Sequence, residues 1–185
     1  MMRVIAGKYK ARKIKSPINN KIRPTSDRAK EMIFSVLSSI LEKQNKLFQE
    51  MIIIDAFCGT GSLGIEAISR GAKKVIFIDN DESSLRIVLK NCEELKIFNK
   101  TLVKLDLTKF TYKQESADLI FLDPPYGKFN LNNLIEKICM KKVLKINGIG
   151  IVETSKRFEL NESKLFTMIK KKKVGDSIFY FFTNN

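Results

Sequence analysis

One stretch of the sequence reads Met51-Ile-Ile-Ile-Asp-Ala-Phe-Cys-Gly-Thr-Gly-Ser-Leu-Gly64, an apolar run followed by a glycine-rich loop. The run is apolar up to Asp55, which is the pattern of a parallel strand buried on both faces. The loop has the G-x-G-x-x-G spacing found between a strand and its following helix, where glycine lets the backbone approach a bound group closely. The stretch therefore predicts the first strand, loop and helix of a ligand-binding α/β sheet.

Strands and helices are predicted to alternate through the rest of the chain. Further strands are predicted at 74–79, 101–106, 117–123 and 148–153, and helices at about 27–42, 62–70 and 131–140. The helix after 74–79 carries on one face Leu85, Val88, Leu89, Cys92 and Leu95. Two β-rich segments, 164–174 and 177–183, are predicted to form a hairpin across Gly175-Asp176. This pattern is typical of a doubly wound, Rossmann-like sheet that is mostly parallel and ends in an antiparallel hairpin.

The length of 185 residues suits a single domain. We divide it into a basic arm at 1–30, which could form a hairpin around Gly7, a helix and connector at 31–50, and a body at 51–185. Three cysteines without paired spacing are typical of a reducing cytosol, and no apolar run is long enough for a membrane helix. The chain has no histidine, which excludes imidazole catalysis and histidine-ligated metals. We therefore expect a cytoplasmic protein without a metal or a membrane partner.

The net charge of +14 is concentrated at the two ends of the chain. Residues 1–30 hold ten lysines and arginines against one acid, whereas 31–155 are almost neutral. A basic end on a neutral body predicts contact with a polyanion, most simply nucleic acid. The candidates for RNA contact are Arg3, Lys8, Lys10, Arg12, Arg23 and Arg28. The run Lys170–Lys173 is equally consistent with RNA contact and with a solvated strand edge.

Four aspartates fall at or near the carboxyl ends of predicted strands, where a doubly wound sheet binds its ligand. They are Asp55, Asp79, Asp106 and Asp123. A dinucleotide pyrophosphate beside these acids would meet like charge, which is costly in a partly desolvated cleft. S-adenosylmethionine is a net cation and suits the same carboxylates. The acids therefore favour this methyl donor over a nicotinamide dinucleotide.

Position in the sheet predicts a separate role for each donor-binding residue. Asp55 would face the methionine end, Asp79 would accept from the ribose hydroxyls, and Asp106 from the adenine amine. Gly59 and Gly61 would allow close approach of the backbone, and Phe57 in the same loop is a further candidate. Asp106 could instead serve only as a turn residue. Cys58 has no activating base nearby in sequence, so we expect a packing residue rather than a nucleophile.

The sequence Asp123-Pro-Pro-Tyr126 follows the apolar run that ends at Leu122. Proline fixes φ and has no N–H, so the carbonyls of this turn can point into a cleft. Asp123 and the Pro124 carbonyl could accept both N–H bonds of a planar exocyclic amine, while Tyr126 stacks on its base. The turn therefore predicts methyl transfer to such an amine, with Asp123, Pro124 and Tyr126 as catalytic residues and Asp123 also bordering the donor.

Taken together, these motifs resemble those of the class I methyltransferases, and more narrowly the bacterial 16S ribosomal RNA guanine-N2 (RsmD-like) methyltransferase family. The resemblance is carried by the blocks 3–8, 23–28, 55–71, 123–126 and 175–177. Asp79 stands where the family usually has Glu, and Ala11 where it often has Gly. The resemblance implies methylation of guanine N2 in small-subunit rRNA, presented in an assembled or partly assembled ribosomal subunit.

Two alternatives stay open on the sequence alone. A DNA adenine-N6 methyltransferase would share the Asp-Pro-Pro-Tyr turn, although so short a chain leaves no room for a separate recognition domain. A catalytically idle RNA-binding assembly factor could have kept the fold, although Asp123 and Tyr126 are both present. A nicotinamide dehydrogenase is a more distant third alternative.

Overall fold

The computed structural model describes residues 2–16, 25–109, 112, 115–125, 130–161 and 163–185. Two predicted site residues, Arg23 and Tyr126, lie outside these ranges. The strands are β1 Met2–Arg3, β2 Lys13–Ile14, β3 Ile52–Ala56, β4 Lys74–Asp79, β5 Lys100–Lys104, β6 Ala117–Leu122, β7 Leu144–Ser155, β8 Phe166–Val174 and β9 Ser177–Asn184. The helices are α1 Asp27–Lys43, α2 Ser62–Ser69, α3 Glu82–Glu94 and α4 Leu131–Met140.

Seven of the strands form one sheet in the order β5-β4-β3-β6-β7-β9-β8. The strands from β5 to β7 pair in parallel, whereas β9 is antiparallel to β7 and β8 is antiparallel to β9. The predicted doubly wound sheet with a C-terminal hairpin is confirmed. The strand order reverses between β3 and β6, and a crevice at the carboxyl ends of strands forms at such a point.

The helices cover both faces of the sheet because neighbouring residues of each strand point to opposite sides. Ile53, Phe77 and Phe121 pack in the core shared with α1, α2, α3 and the arm. Ile54 and Ile120 pack in a second core with α4. Strands that are apolar on both faces require this double covering, and it leaves the strand ends as the place for polar groups.

Helix α1 begins where the sequence predicted. The Ser26 hydroxyl accepts a hydrogen bond from the Ala29 N–H at 3.1 Å and thereby caps the first turn. The apolar stripe is buried as expected, and it consists of Ile33, Leu37, Ile40 and Leu41. Arg28, which we assigned to the arm, lies exposed on the first turn of this helix.

Two expectations about local structure are wrong. Leu89 is 39% exposed rather than part of the α3 core face. The buried stripe of α3 is rotated towards Ser84 and Asn91, because Asn91 hydrogen-bonds to the arm and is drawn inward. Strand β7 begins at Leu144, four residues before the predicted start, and its pairing with β6 shifts register between Ala117 and Leu119.

No helix in the described part of the chain has both the length and the apolar character needed to cross a bilayer. The thiols of Cys58, Cys92 and Cys139 are free and buried. Among the described residues, no group of histidine, cysteine and acidic side chains is arranged to hold a metal ion.

Candidate active site

The register of the central strands places three predicted residues at one level at the carboxyl edge of the sheet. Ala56 of β3 pairs with Ile78 of β4 on one side and with Leu122 of β6 on the other. The next residues are therefore Phe57, Asp79 and Asp123. Neighbouring strands are about 4.8 Å apart, so the Asp79 and Asp123 backbones lie roughly 10 Å apart with the β3 loop between them. This is the crevice at the switch point.

Asp55 lies two residues inside this level and is buried beneath α2. Its side chain is 3% exposed, and one carboxylate oxygen (Oδ2) accepts a hydrogen bond from the Gly64 N–H at 2.8 Å. Burial raises the pKa of Asp55 from 3.8 to about 7; the Gly64 hydrogen bond opposes this rise, and the nearby Asp79 charge adds to it. The site thus holds a carboxylate whose charge is poorly compensated, and a nearby cation would stabilise it.

Asp79 and Asp106 both take part in local turns. Asp79 accepts from the Gly59 N–H and from the Asp81 N–H, each at 2.9 Å, and so ties the glycine loop to the end of β4. Asp106 Oδ1 accepts from the Thr108 N–H and hydroxyl. Asp106 therefore does serve as a turn residue. Its Oδ2 has no hydrogen-bond partner among the described residues, so this oxygen is available to a ligand.

The glycine loop has the backbone that its sequence requires. Gly59 and Gly61 have φ of 52° and 74°, in the left-handed region that favours glycine. A Cβ on Gly61 would lie 3.0 Å from Val88 and 3.1 Å from the Phe77 ring, so the loop packs closely on β4 and α3. Cys58 is buried, and burial raises its pKa well above the ordinary value. It is a packing residue, as predicted, because a thiol that rarely ionises is a poor nucleophile.

The arm residues 5–9 lie along the second half of α2. Glu66, which is fully buried, accepts from the Ile5 N–H at 2.7 Å and the Ala6 N–H at 3.0 Å, and it pairs with Arg70 at 2.8 Å. At the end of α2, the Ser69 hydroxyl accepts from the Tyr9 N–H. Gly7 crosses so close that a Cβ there would lie 1.8 Å from the Ser69 carbonyl oxygen. The arm is therefore a docked part of the domain.

Asn91 of α3 connects the base of the arm to the glycine loop. Its Oδ1 accepts from the Lys15 N–H at 2.8 Å, and its Nδ2 donates to the carbonyls of Lys15 and Thr60 at 3.2 and 3.3 Å. The Thr60 hydroxyl also contacts the Met2 sulfur at 3.8 Å. Met2 of β1 thus contacts Thr60 directly, and Lys15, which follows β2, is joined to Thr60 through Asn91.

Comparison with known proteins agrees with this architecture. A family model described as conserved hypothetical protein 95 matches residues 2–183. The ribosomal RNA small subunit methyltransferase D of Haemophilus influenzae is 36% identical over 182 residues, covering 94% of this chain and 89% of that protein. The chain belongs to the ribosomal RNA small subunit methyltransferase D family.

Solved structures show that the family fold extends over the whole chain. A candidate methylase from Haemophilus influenzae has a TM-score of 0.78 at 32% identity, covering 98% of this chain and 97% of its own. A candidate methyltransferase from Escherichia coli has a TM-score of 0.83 at 24% identity and shows the same fold, covering 99% and 97%. The predicted class I methyltransferase sheet and the predicted family are both confirmed.

The structure brings most of the predicted donor residues of this family member together. Asp55, Phe57, the two loop glycines, Asp79 and Asp123 lie together at or just beyond the carboxyl ends of β3, β4 and β6, and Asp106 follows the neighbouring strand β5. Pro124 is buried and Pro125 is exposed in the turn after β6. The assignment of these residues to donor or base remains a prediction, as does that of Tyr126, which lies outside the described residues.

The residues predicted to contact RNA differ in how far their charge is compensated by neighbouring acids. Lys8, Lys10 and Arg12 are exposed on the arm, and Lys8 lies 5.3 Å from the centroid of the Tyr9 ring. Arg3 instead pairs with Asp27 of α1 at 3.0 Å, and its carbonyl accepts from the buried Lys30. Its charge is thus partly neutralised, and we expect it to contribute less to RNA contact than Arg12.

Sequence reasoning missed Glu66 and Asn91 as the residues that hold the arm. One local signal was available for Glu66, because it is the only charged residue in the otherwise apolar or small sequence of α2, Ser62–Ser69. Asn91 gave no comparable signal, because a polar residue on α3 is ordinary. Its partners lie 76 and 31 residues away in sequence.

We expect the free energy of unfolding of the donor-free protein to depend on pH through Asp55. The folded state holds the proton of the Asp55 carboxyl more tightly than the unfolded state does. The stability gained in this way is present at low pH and is lost as pH rises through about 7. Between about pH 5 and pH 8 the loss should be roughly 2–3 kcal/mol, at about 1.36 kcal/mol per pKa unit. Urea unfolding at both pH values should show this difference relative to Asp55→Asn. Parallel pH profiles for the two proteins would contradict it.

Proposed function

We propose that this protein transfers a methyl group from S-adenosylmethionine to the exocyclic N2 amine of a guanine in small-subunit ribosomal RNA. The observation that carries the proposal is the arrangement of Asp55, Asp79 and Asp123 around one crevice, in a chain of the small subunit methyltransferase family. The carboxylates fit a cationic donor, and the turn after β6 fits an amine acceptor.

The donor residues suit S-adenosylmethionine by charge. The Asp79 charge raises the pKa of Asp55, and a positively charged group near both carboxylates would relieve this repulsion. The donor supplies a methyl group on a positively charged sulfur. The amino end of α2, which begins after Gly61 without a side-chain cap, would favour the donor carboxylate through the N–H groups of Ser62 and Leu63.

The remaining contacts to the donor are assigned to carboxylate oxygens that can accept a further hydrogen bond. Each carboxylate oxygen of Asp79 accepts one backbone N–H, and a carboxylate oxygen has a second lone pair for a ribose hydroxyl. Asp106 Oδ2 would accept from the adenine amine while Oδ1 holds its turn. Asp79 has a shorter side chain than the glutamate that is usual in the family. Its hydrogen bond with the Gly59 N–H holds it close to the loop that approaches the donor.

The acceptor turn provides the chemistry at the base. Guanine N2 is a poor nucleophile because its lone pair is delocalised into the ring. Asp123 and the Pro124 carbonyl would accept its two N–H bonds, favour pyramidal nitrogen and direct the lone pair towards the methyl group. Positive charge develops on nitrogen in the transition state, so fixed acceptors stabilise that state more than the ground state. Tyr126 would stack on the base, and an unpaired rRNA loop makes its extrusion inexpensive.

Methylation assays with labelled donor would test the proposed substrate. We expect the wild-type protein to label small-subunit particles or their 16S rRNA and to leave duplex DNA unlabelled. The Asp123→Ala variant is the matched control, because it retains the arm and the donor loop. Label found only in DNA would favour the adenine methyltransferase alternative, and no transfer to any nucleic acid would favour the idle assembly factor.

The arm is expected to supply sequence-independent RNA affinity. Removing two charges in Lys10→Gln/Arg12→Gln should lower the slope of log affinity against log salt by roughly 1–2, because each neutralised phosphate contributes about 0.7 for single strands. Donor affinity should stay unchanged. The control is Lys73→Gln/Lys141→Gln, which removes two exposed charges at the amino ends of β4 and β7. Equal salt slopes for the two double variants would contradict RNA contact by the arm.

A further inference from the structure

Strand β8 forms the outer edge of the sheet, and its second half is a continuous run of lysine. Lys170, Lys171, Lys172 and Lys173 are all exposed. Their partners on β9 are Phe181, Tyr180, Phe179 and Ile178 in turn. Phe181 and Phe179 belong to the core under α1–α3, and Tyr180 and Ile178 to the core with α4. Two lysines therefore stand on each face of the edge.

The strand register shows where this run lies relative to the proposed site. Lys171 pairs with Tyr180, Tyr180 with Val152, and Val152 with Leu122. Leu122 directly precedes Asp123. Because β8 is antiparallel to β9 and β9 to β7, β8 runs in the same direction as β6, and the lysines continue towards the carboxyl edge of the sheet. They lie three strand spacings, or about 14 Å, to the side of the Asp123 turn.

The charge of the run is little compensated. Among the described residues, Lys171 has a carboxylate partner, Glu159, at 4.0 Å, and that side chain is 87% exposed. No ion pair involves Lys170, Lys172 or Lys173 within the same part of the chain. Lys171 also lies 5.2 Å from the centroid of the Tyr180 ring, which steadies its stem without neutralising its charge.

Protection of an exposed strand edge is the simplest alternative, because lysine on an edge discourages pairing with another chain. The distribution along β8 does not fit that role. The first half of the strand carries no lysine and exposes Met168 and Ile169, at 51% and 38%. Edge protection would place charge beside these apolar residues, whereas all four lysines stand in the half nearest the proposed site.

We propose that Lys170–Lys173 form a second RNA contact, which binds backbone phosphates on the side of the Asp123 turn opposite the arm. The inference rests on the proposed function. The arm packs on α2 and α3, which cover β3, β4 and β5, whereas the lysines lie beyond β7 and β9. In the order of the strands, the two basic surfaces thus lie on opposite sides of β6, which carries the turn that receives the base. A strand held on both sides presents its extruded guanine between the two contacts.

The test compares two triple variants with equal charge loss. Lys170→Gln/Lys172→Gln/Lys173→Gln removes the unpaired lysines and leaves Lys171 in place. Lys73→Gln/Lys96→Gln/Lys141→Gln removes three exposed charges that precede the amino ends of β4, β5 and β7. We expect the β8 variant to lower the slope of log affinity for 16S rRNA against log salt by about 2. Its affinity for 16S rRNA at physiological salt should fall about tenfold. The donor affinity should stay unchanged.

Two outcomes would overturn the second contact. Equal rRNA affinity and salt slope for the two triple variants would show that β8 does not bind the backbone. Self-association of the β8 variant in light scattering, with wild-type rRNA affinity, would assign the lysines to edge protection. Binding is measured without catalysis, so a wild-type protein that binds rRNA but methylates only DNA would refute the proposed substrate and leave the β8 comparison valid.

Discussion

Replacing Asp123 with alanine is expected to lower the turnover number for methyl transfer to rRNA by about 10²–10³-fold. The variant loses an acceptor fixed at the end of β6, and one preorganised group of this kind contributes roughly 2.7–4 kcal/mol to transition-state stabilisation. Because the effect falls on the transition state, the apparent affinity for rRNA should change little. Asp123→Asn keeps a carbonyl oxygen of similar position and should lose less activity than the alanine variant.

Single-turnover methylation with saturating donor and rRNA is the measurement that separates these effects. Donor affinity is determined separately by calorimetry, because Asp123 also borders the predicted donor crevice. An alanine variant that methylates at the wild-type rate would show that this carboxylate is no part of the acceptor. A loss confined to donor affinity would place Asp123 in donor binding alone.

Replacing Glu66 with alanine is expected to lower the free energy of unfolding by about 3–5 kcal/mol, the range typical of removing one partner from a buried ionic cluster. The substitution leaves the N–H groups of Ile5 and Ala6 without their acceptor and leaves Arg70 without its carboxylate. The arm should detach from α2, so amide hydrogen exchange at Ile5, Ala6 and Tyr9 should become fast.

Urea unfolding and hydrogen exchange should be measured together on this variant. Glu82→Ala is the control, because Glu82 also pairs with two cations, Arg86 and Lys104, but is exposed on α3. Its loss should change stability far less, since exposed ion pairs are screened by solvent. Wild-type stability and wild-type exchange rates in Glu66→Ala would show that the arm is held by other contacts.

Local patterns in the sequence predicted the central strands well. Helix α4 was predicted at 131–140 and observed at Leu131–Met140, because an asparagine cap and a regular apolar stripe determine it. The ends of β3, β4 and β6 fell within a residue of their predictions, since each apolar run stops at an aspartate or just after one. The crevice followed, because parallel strands carry their terminal acids to one edge.

Contacts between distant segments could not be predicted in this way. The sequence indicated a basic arm but not that Glu66 holds it 60 residues away, nor that Asn91 ties Lys15 to Thr60. Ala11 has φ of 65°, in the left-handed region that favours glycine, and only the observed backbone makes this visible. The position of Lys170–Lys173 likewise depends on the register of three successive strand pairs, from β8 to β6.

Nucleoside mass spectrometry of small-subunit rRNA tests the central claim most directly. Particles from cells that lack this gene would be incubated with S-adenosylmethionine and either the wild-type protein or Asp123→Ala, and their rRNA would be digested and mapped. The account predicts N2-methylguanosine at a single position with the wild-type protein and little or none with the variant. Methylation of an adenine amine instead, or equal product from both proteins, would contradict it.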